Sequence, residues 1–553
     1  MPSFTKYLLL LCVVSACSSP KKLAVEDNGL ENNLKTHIGY LADDKLEGRR
    51  AGTHGERLAM EYISAQFSAA GLQAKGSDGF YQPFDIHEGK QINAATRFSV
   101  NGNALVLEKD FFPFPYSSNV KIEASPAIAL QESGMPWFYD LKDALDENKN
   151  NPHFDLADYI YTNAKKVTAK GASAVILYNT TATDDKLAFN PKDKNQSLSI
   201  PVIYINKATA QKYFADETAT LDIKFQTDLS DKKRTGHNVV GFLDNGAATT
   251  VIIGAHFDHL GYGEDGNSRN TTHEAAIHNG ADDNASGTAA LIEMARQLKA
   301  SKSKNNNYLF IAFSGEELGL FGSKYFTDHP TIDLKTVNYM INMDMVGRLN
   351  DSTNVVTVGG YGTSPSWGQL YSSYDMAHVK KTDLNFKYDS SGTGPSDHTS
   401  FYRKDIPVLF YFTGLHSDYH KPSDDADKIN YTGEKMIIRH ILDVIARVDG
   451  NGKLAFTKTR EAQTTTSARF SVSLGIMPDY TYPGNGVKAD GVTEGRAAEK
   501  AGIKTGDVIV QLGDYTISSM ETYMQALSKF KKGDSTKVKF RRGDQLMEAN
   551  VQF

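Results

Sequence analysis

Histidine and carboxylate residues follow a series of apolar segments in the second half of this chain. The first of these segments, Val251–Gly254, runs into His256 and Asp258. Residues two apart on an extended strand point to the same side, so one of this pair can bind a metal ion while the other orients it. Later polar segments continue the series: Gly280-Ala281-Asp282-Asp283-Asn284, Ser314-Gly315-Glu316-Glu317, Met343-Asp344-Met345 and Asp418-Tyr419-His420.

Five of these side chains are candidate metal ligands: His256, Asp282, Glu317, Asp344 and His420. Each residue type is ordinary on a protein surface when it occurs alone. A set of imidazoles and carboxylates without thiolates suits a pair of divalent ions, because zinc accepts such ligands at about 2.0 to 2.2 Å. Two ions about 3.5 to 4 Å apart need a bridging carboxylate. The set therefore predicts a two-metal site.

The elements that position these residues alternate between strands and helices from Asn238 onwards. Apolar patterns predict strands at 249–255, 308–313, 337–343, 355–358 and 407–412, and helices at 286–299, 320–326 and 434–448. This alternation predicts an α/β fold, a mostly parallel mixed sheet flanked by helices. Because parallel strands end at one edge of a sheet, His256, Glu317 and Asp344 are expected to lie together there.

The ordered motifs resemble those of the di-zinc exopeptidases that include bacterial leucyl aminopeptidases and glutamate carboxypeptidase II. The resemblance covers residues 30–115 and 231–448, as the two parts of a peptidase domain. It implies two zinc ions bridged by Asp282. His256 and Asp344 would complete one metal position, and Glu317 and His420 the other.

The same resemblance implies roles for residues beside the ligands. Asp258 would orient the ring of His256, and Glu316 would act as the general base that takes a proton from the attacking water. The family often has a cis peptide bond after the bridging aspartate, which places that bond between Asp282 and Asp283. The segment Ser396-Asp397-His398 resembles the family's "SDH" motif near the substrate pocket, with a supporting, substrate-facing or purely structural role.

A long polar loop separates the first two ligand segments. The loop, Gly261–Asn279, is rich in glycine and could fold over the site. It contains His273 and His278, and His259 precedes it. We predict that these three histidines are solvated; the alternative is that they make an accessory contact with the site.

Two further segments resemble small domains. Residues 116–230 resemble a protease-associated (PA) domain inserted in the peptidase, on the strength of Lys170-Gly171-Ala172 and Ile200-Pro201-Val202; a generic α/β insertion is the alternative. After a polar linker at 449–467, residues 468–553 resemble a PDZ domain. Its Leu474-Gly475-Ile476 element would receive a peptide C-terminus. A packed appendage that binds no peptide is the alternative.

The N-terminus carries the signature of an exported protein. Lys6 precedes a short apolar run, and Val14-Ser15-Ala16-Cys17 resembles a bacterial lipobox. Residues 1–16 would then be a lipoprotein signal peptide, Cys17 a lipid anchor in the membrane and residues 17–29 a tether. An ordinary cleaved signal is the alternative. The expected location is the periplasmic side of a bacterial membrane.

The overall composition is typical of a protein with a soluble surface, and because it has no excess of basic residues we expect no binding to nucleic acid. The net charge is −6 and 23% of the 553 residues are charged. Only two cysteines occur, Cys12 and Cys17, so the mature domains have no disulfide and must be held by apolar cores or metals.

These observations predict a zinc-dependent aminopeptidase that cleaves N-terminal residues from peptide substrates. Three alternatives stay open: a carboxypeptidase with the same metal set, a non-catalytic scaffold that binds through its accessory domains, and a single-zinc glutaminyl cyclase. The last two are disfavoured because all five ligands and Glu316 are present.

Overall fold

The computed structural model describes residues 20–553 apart from 150, 152–153, 194, 217, 271, 273, 377–382, 460–471, 479–484, 494, 519 and 544. The predictions for residues 1–16, for Cys17 and for His273 therefore lie outside the described residues, as does part of the linker predicted at 449–467. Across the described residues, every helix is too short or too polar to serve as a transmembrane segment.

The chain divides into two compact units. Unit 1 comprises Met1–Phe84 and Thr235–Phe553, and unit 2 comprises Asp85–Arg234. Residues 85–115, which we expected in the peptidase domain, thus lie in unit 2 together with the predicted insertion at 116–230. The reason is apolar burial, since Phe98, Val100 and Phe111 pack in the same core as Ile176 and Ile203.

The N-terminal part of the described chain begins with two helices, which are followed by two strands. These elements are α1 (Pro20–Leu41), α2 (His54–Ala69), β1 (Gln73–Ala74) and β2 (Tyr81–Ile92). Helix α1 begins within the segment 17–29 that we expected to be a tether.

The described residues of unit 2 form two four-stranded sheets and three helices. Its elements are β3 (Arg97–Val100), β4 (Asn103–Ala104), β5 (Phe111–Pro113), β6 (Lys121–Ala124), β7 (Pro136–Asp140), α3 (Lys142–Asn148), α4 (Leu156–Ala169), β8 (Ala174–Tyr178), β9 (Val202–Ile205), α5 (Lys207–Tyr213) and β10 (Ile223–Gln226). The sheet orders are β4-β3-β10-β6 and β5-β9-β8-β7. Strands β7, β8 and β9 are parallel.

The second half of unit 1 contains the predicted alternation of strands and helices. Its elements are β11 (Leu229–Leu243), β12 (Thr250–His256), α6 (Gly287–Ala300), β13 (Asn307–Phe313), α7 (Phe321–Asp328), β14 (Val337–Met343), β15 (Val355–Gly359), α8 (Pro365–Met376), β16 (Asn385–Tyr388), α9 (His398–Tyr402), β17 (Val408–Phe412) and α10 (Tyr431–Val448). Strands predicted from apolar runs therefore lie within one or two residues of their observed bounds.

One mixed sheet forms the centre of this part of the chain. Its order is β1-β11-β13-β12-β14-β17-β15-β16. Strands β13, β12, β14 and β17 are mutually parallel, whereas β11 and β15 join them in the antiparallel sense. The predicted α/β fold is thus confirmed.

Both faces of the sheet are covered, which explains why its central strands are apolar throughout. Along β12, Val251 and Ile253 pack in a core shared with α1, α2, α6 and α10, while Ile252 packs in a second core with Phe326 of α7 and Phe401 of α9. Alternate side chains of a strand point to opposite faces, so a strand between two helical layers has no polar face.

Among its described residues, the C-terminal segment has its own apolar core and a sheet of six strands. Its elements are β18 (Ile476–Pro478), β19 (Val487–Val492), α11 (Ala497–Lys500), β20 (Val508–Leu512), β21 (Tyr515–Thr516), α12 (Met520–Leu527), β22 (Ser535–Arg542) and β23 (Gln545–Gln552).

Candidate metal centre

Four polar segments meet at the C-terminal edge of the parallel strands. His256 is the last residue of β12, Glu316 and Glu317 follow β13, and Asp344 follows β14. His420 lies in the connection that leaves β17. The chain direction of β12, β13, β14 and β17 thus brings residues distant in sequence to one end of the sheet.

The first group of converging atoms contains His256, Asp283 and Asp344. His256 Nε2 lies 3.3 Å from Asp344 Oδ1 and 3.5 Å from Asp283 Oδ1. Ligand atoms about 2.0 to 2.2 Å from a tetrahedral ion lie roughly 3.4 Å from one another. These spacings suit three ligands around one ion better than they suit hydrogen bonds.

The second group contains Asp283 and Glu317 together with two histidines: His259, and His420, which lies against both carboxylates. His420 Nε2 lies 3.3 Å from Asp283 Oδ2 and 3.2 Å from Glu317 Oε2. The spacing again suits ligands of a shared ion. Asp283 therefore takes part in both groups, with Oδ1 facing the first and Oδ2 facing the second.

Asp282, the residue we expected to bridge, points away from both groups. Its Oδ1 accepts hydrogen bonds from Gly347 N at 2.7 Å and Ser286 Oγ at 3.1 Å, and its Oδ2 lies 3.2 Å from His416 Nε2. The geometry places Asp283 where Asp282 was expected. The cis peptide bond likewise joins Asp283 to Asn284 and not Asp282 to Asp283.

Glu316 and Asp258 lie beside the first group. Glu316 Oε2 is 4.0 Å from His256 Nε2, and the side chain of Glu316 is 11% exposed. Burial raises the pKa of Glu316 well above its usual value; His256 lowers that pKa, and the carboxylates of Asp344 and Glu317 raise it. A raised pKa makes a carboxylate a stronger base.

Asp258 contacts both Glu316 and His256. Its Oδ1 accepts a hydrogen bond from Glu316 N at 3.1 Å. His256 Nδ1 lies 3.2 Å from the main-chain oxygen of Asp258 and 3.7 Å from its Oδ1. The main-chain oxygen is thus the closer partner of the imidazole, although we expected the carboxylate. Burial raises the pKa of Asp258.

The prediction of solvated histidines is wrong for His259 and His278, which are both buried. His259 Nδ1 lies 2.8 Å from Glu317 Oε1, a hydrogen-bonding distance that leaves Oε2 of Glu317 directed at His420. His278 Nε2 lies 2.7 Å from Ser268 Oγ. A sequence signal for His259 existed in the spacing His256-x-x-His259 directly after the strand.

Arg49 is a functional candidate that the sequence reasoning missed. Its guanidinium is completely buried and donates hydrogen bonds to four main-chain oxygens: Leu41 and Asn279 at 2.6 Å, Phe257 at 2.7 Å and Gly280 at 3.0 Å. Burial lowers the pKa of Arg49 to about 10, which leaves it charged at neutral pH. Arg49 therefore ties the segment after His256 to the segment before Asp283.

Residues of the "SDH" segment lie within the fold near this centre. Asn342 Nδ2 donates to Ser396 Oγ at 2.8 Å, and the ring of His398 stacks on Phe410 at 4.5 Å. Asp397 is completely buried, and burial raises its pKa to about 7. Its charge also raises the pKa of Glu316.

Comparison with known proteins gives two family matches, both within the part of unit 1 that begins at Thr235. Residues 238–445 match the model of Peptidase family M28, and residues 471–553 match the model of the PDZ domain. Aminopeptidase YwaD of Bacillus subtilis (strain 168) is 28% identical over 281 residues, which are 49% of this chain and 56% of YwaD.

Two further matches cover more of the chain. The "Probable lipoprotein aminopeptidase LpqL" of Mycobacterium tuberculosis (strain ATCC 25618 / H37Rv) is 25% identical over 409 residues, which are 69% of this chain and 73% of LpqL. The solved aminopeptidase from Aneurinibacillus sp. strain AM-1 is 23% identical, with a TM-score of 0.40, over 77% of this chain and 95% of that one.

The first curated relatives are matched over only part of their length. The matched segments cover 56% of YwaD and 39% of the "Leupeptin-inactivating enzyme 1" of Streptomyces exfoliatus. The similarity to families accordingly applies to segments: residues 238–445 are similar to Peptidase family M28, and residues 471–553 are similar to the PDZ domain.

Proposed function

We propose that this protein is a zinc-dependent aminopeptidase that hydrolyses the first peptide bond of peptide substrates. The observation that carries the proposal is the position of Asp283. One carboxylate oxygen faces His256 and the other faces His420, each at 3.3 to 3.5 Å. A carboxylate shared by two sets of ligand atoms is what a pair of divalent ions requires.

The ligand roles follow from these groups. His256, Asp344 and Asp283 would hold one ion, and Glu317, His420 and Asp283 the other. Each position then has three protein ligands, which leaves room for water or substrate in a fourth. When bound, two such ions supply Lewis-acid polarisation of the scissile carbonyl and a water of lowered pKa.

The side chains of this chain supply the proton transfers and the positioning. Glu316 would take a proton from the attacking water and deliver it to the leaving amine, because its carboxylate lies beside the first ligand group and has a raised pKa. Asp258 holds the main chain of Glu316 through its carboxylate, so the base and His256 share one support.

The names of the relatives support a substrate with a free amine, since YwaD and LpqL are called aminopeptidases. A carboxypeptidase would need an arginine that faces the ligands and binds the terminal carboxylate. The guanidinium of Arg49 is buried and bonded to four carbonyls, so Arg49 is not such a group.

Accessory features fit an exported enzyme. The lipobox-like sequence ending at Cys17 supports a lipid anchor, in keeping with the name of the relative LpqL. The PDZ domain would bind the C-terminus of a peptide or protein, and residues 116–230 would act as a protease-associated domain.

Activity assays with the purified chain test the proposal. We expect aminoacyl reporter substrates to be cleaved, blocked N-termini to be resistant, and a chelator to abolish cleavage reversibly. Cleavage of C-terminal reporters instead would identify a metallo-carboxypeptidase. One metal ion per chain without peptidase activity, or no metal at all, would overturn the proposal and leave a cyclase-like enzyme or a binding scaffold.

A further inference from the structure

The loop after β12 returns to the second ligand group and holds His420 from two sides. Asn267 O lies 2.9 Å from His420 Nδ1, and Arg269 N donates to His420 O at 2.9 Å. Asn267 Nδ2 also donates to the main-chain oxygen of Glu317 at 3.3 Å. We call residues 265–269 the strap. Its contacts with candidate ligands go to Glu317 and His420, both in the second group.

His420 needs these contacts to fix its side chain because it does not lie in a regular strand or helix. It lies in a connection and has a φ of +57°, which a residue with a side chain adopts infrequently. The ring of His420 stacks on Tyr419 with ring centroids 3.9 Å apart, and the guanidinium of Arg269, a strap residue, lies 5.0 Å from the centroid of the Tyr419 ring. His256, in contrast, is the last residue of a strand that is hydrogen-bonded on both sides.

Arg50 fastens the strap to the rest of unit 1. Arg50 Nε donates to Asp265 Oδ2 at 2.7 Å, and Arg50 Nη2 donates to Asp265 Oδ1 at 2.9 Å. Both side chains are 17% exposed, so the pair is partly shielded from solvent. A two-point arginine–carboxylate contact fixes orientation as well as distance. Arg50 is the neighbour of Arg49. Arg49 thus holds the segments beside His256 and Asp283, and Arg50 holds the strap beside His420.

We propose that the Arg50–Asp265 pair is a positioning device for one metal ion only. It holds the strap so that Asn267 O orients the imidazole of His420, and it thereby sets the affinity of the Glu317–His420 position. At the other position, His256 and Asp344 lie at the ends of β12 and β14 and only Asp283 is shared, so its affinity is expected to be independent of the strap. The proposal rests on the two-metal function proposed above.

Metal titration of the full-length, metal-free chain with Co²⁺ tests this asymmetry. Calorimetry gives the two affinities, and visible absorption reports the geometry around each ion. We expect two Co²⁺ per wild-type chain. In Arg50→Gln and in Asp265→Asn, one affinity should fall about tenfold, the usual size of an indirect effect on a metal ligand, while the other stays unchanged.

A charge-exchanged variant and a matched control separate positioning from general damage. Arg50→Asp with Asp265→Arg restores the ion pair in reverse and should recover the lost affinity relative to Arg50→Asp alone. Arg57→Gln breaks an exposed ion pair with Glu61 on α2 and should leave both affinities unchanged. A fall in neither affinity, an equal fall in both, or a lack of recovery in the exchanged variant would overturn the strap proposal. Wild-type chain that binds fewer than two ions would instead overturn the two-metal function and the strap proposal with it.

Discussion

Asp424 Oδ2 accepts a hydrogen bond from the main-chain N–H of Asp283 at 3.1 Å. The same oxygen accepts the N–H of Asp282 at 3.0 Å, and the main-chain oxygen of Asp424 accepts the N–H of Ala281 at 2.9 Å. Arg49 binds the carbonyls of the preceding residues, Asn279 and Gly280. The turn that presents Asp283 is therefore held on its N–H side by a buried carboxylate and on its carbonyl side by a buried guanidinium.

Removal of the Asp424 carboxylate should loosen both metal positions together, since Asp283 contributes to each. We expect Asp424→Ala to lower the affinity for both ions by about 10- to 100-fold. Asp424→Asn keeps an oxygen that can accept both hydrogen bonds and should lose much less. Calorimetric titration of the metal-free variants measures the two affinities. Wild-type affinities in the alanine variant would show that the turn needs no support from Asp424.

Substitution of the two adjacent aspartates distinguishes the bridging residue. Asp283→Asn should lose both ions, because it leaves neither group with a full set of charged ligands. Asp282→Asn should retain both, since the Asp282 side chain faces Gly347, Ser286 and His416. Metal content after dialysis, by atomic emission, reports the result. An empty Asp282→Asn and a loaded Asp283→Asn would restore Asp282 as the bridge.

The choice between Asp282 and Asp283 shows that sequence patterns predict strand positions but not the direction of a side chain in a turn. Strand positions follow from continuous apolar runs, and β12 and β14 lie within one residue of their predicted bounds. The side chains of neighbouring residues in a turn are directed by backbone angles that no periodicity encodes. Here Gly280 is left-handed, with φ 55°, and the turn from Ala281 to Ser286 contains non-helical residues, so a one-residue shift in the assignment reverses which carboxylate meets the ligands.

Contacts between residues distant in sequence also escaped prediction, because local sequence patterns do not encode them. Arg49 and Asp424 are more than three hundred residues apart in sequence, yet both hold the turn at 279–283. His259 is buried, and the loop that follows it returns to contact Glu317 and His420. The boundary of unit 2 at Asp85 depends on which core receives Phe98 and Val100, and their apolar character is compatible with either.

Glu316 tests the proposed proton transfer independently of metal binding. Glu316→Gln keeps the shape of the side chain and removes its ability to accept a proton. We expect kcat to fall by at least about a hundredfold, the usual range for loss of a general base, while both ions stay bound. Asp258→Asn is a useful companion, since it retains an acceptor for Glu316 N and should lose less. Near-normal turnover in the glutamine variant, with its metal content intact, would exclude Glu316 as the base.

Glu293 on α6 should make stability depend on acid pH. This carboxylate is buried and bonded to Asn33, His37 and Arg296 at 2.7 to 3.1 Å. Burial raises its pKa, but the hydrogen bonds from His37 and Asn33 and the charge of Arg296 outweigh burial, so its pKa lies below the usual 4.5. An acid of lowered pKa in the folded state contributes stability that is present above the unfolded pKa and is lost as the pH falls through the folded value.

Replacement of Glu293 by glutamine should therefore lower Tm at pH 7, by an amount equivalent to about 1 to 3 kcal/mol, because a charged group loses buried hydrogen bonds. The difference from wild type should shrink as the pH falls below about 4.5, where protonated glutamate comes to resemble glutamine. Thermal unfolding of the chelated chains from pH 3 to 8 measures both. Glu61→Gln, at an exposed position on α2, is the control and should show no such trend. A Tm difference that stays constant across this range would mean that the charge on Glu293 contributes nothing to holding α1 against α6.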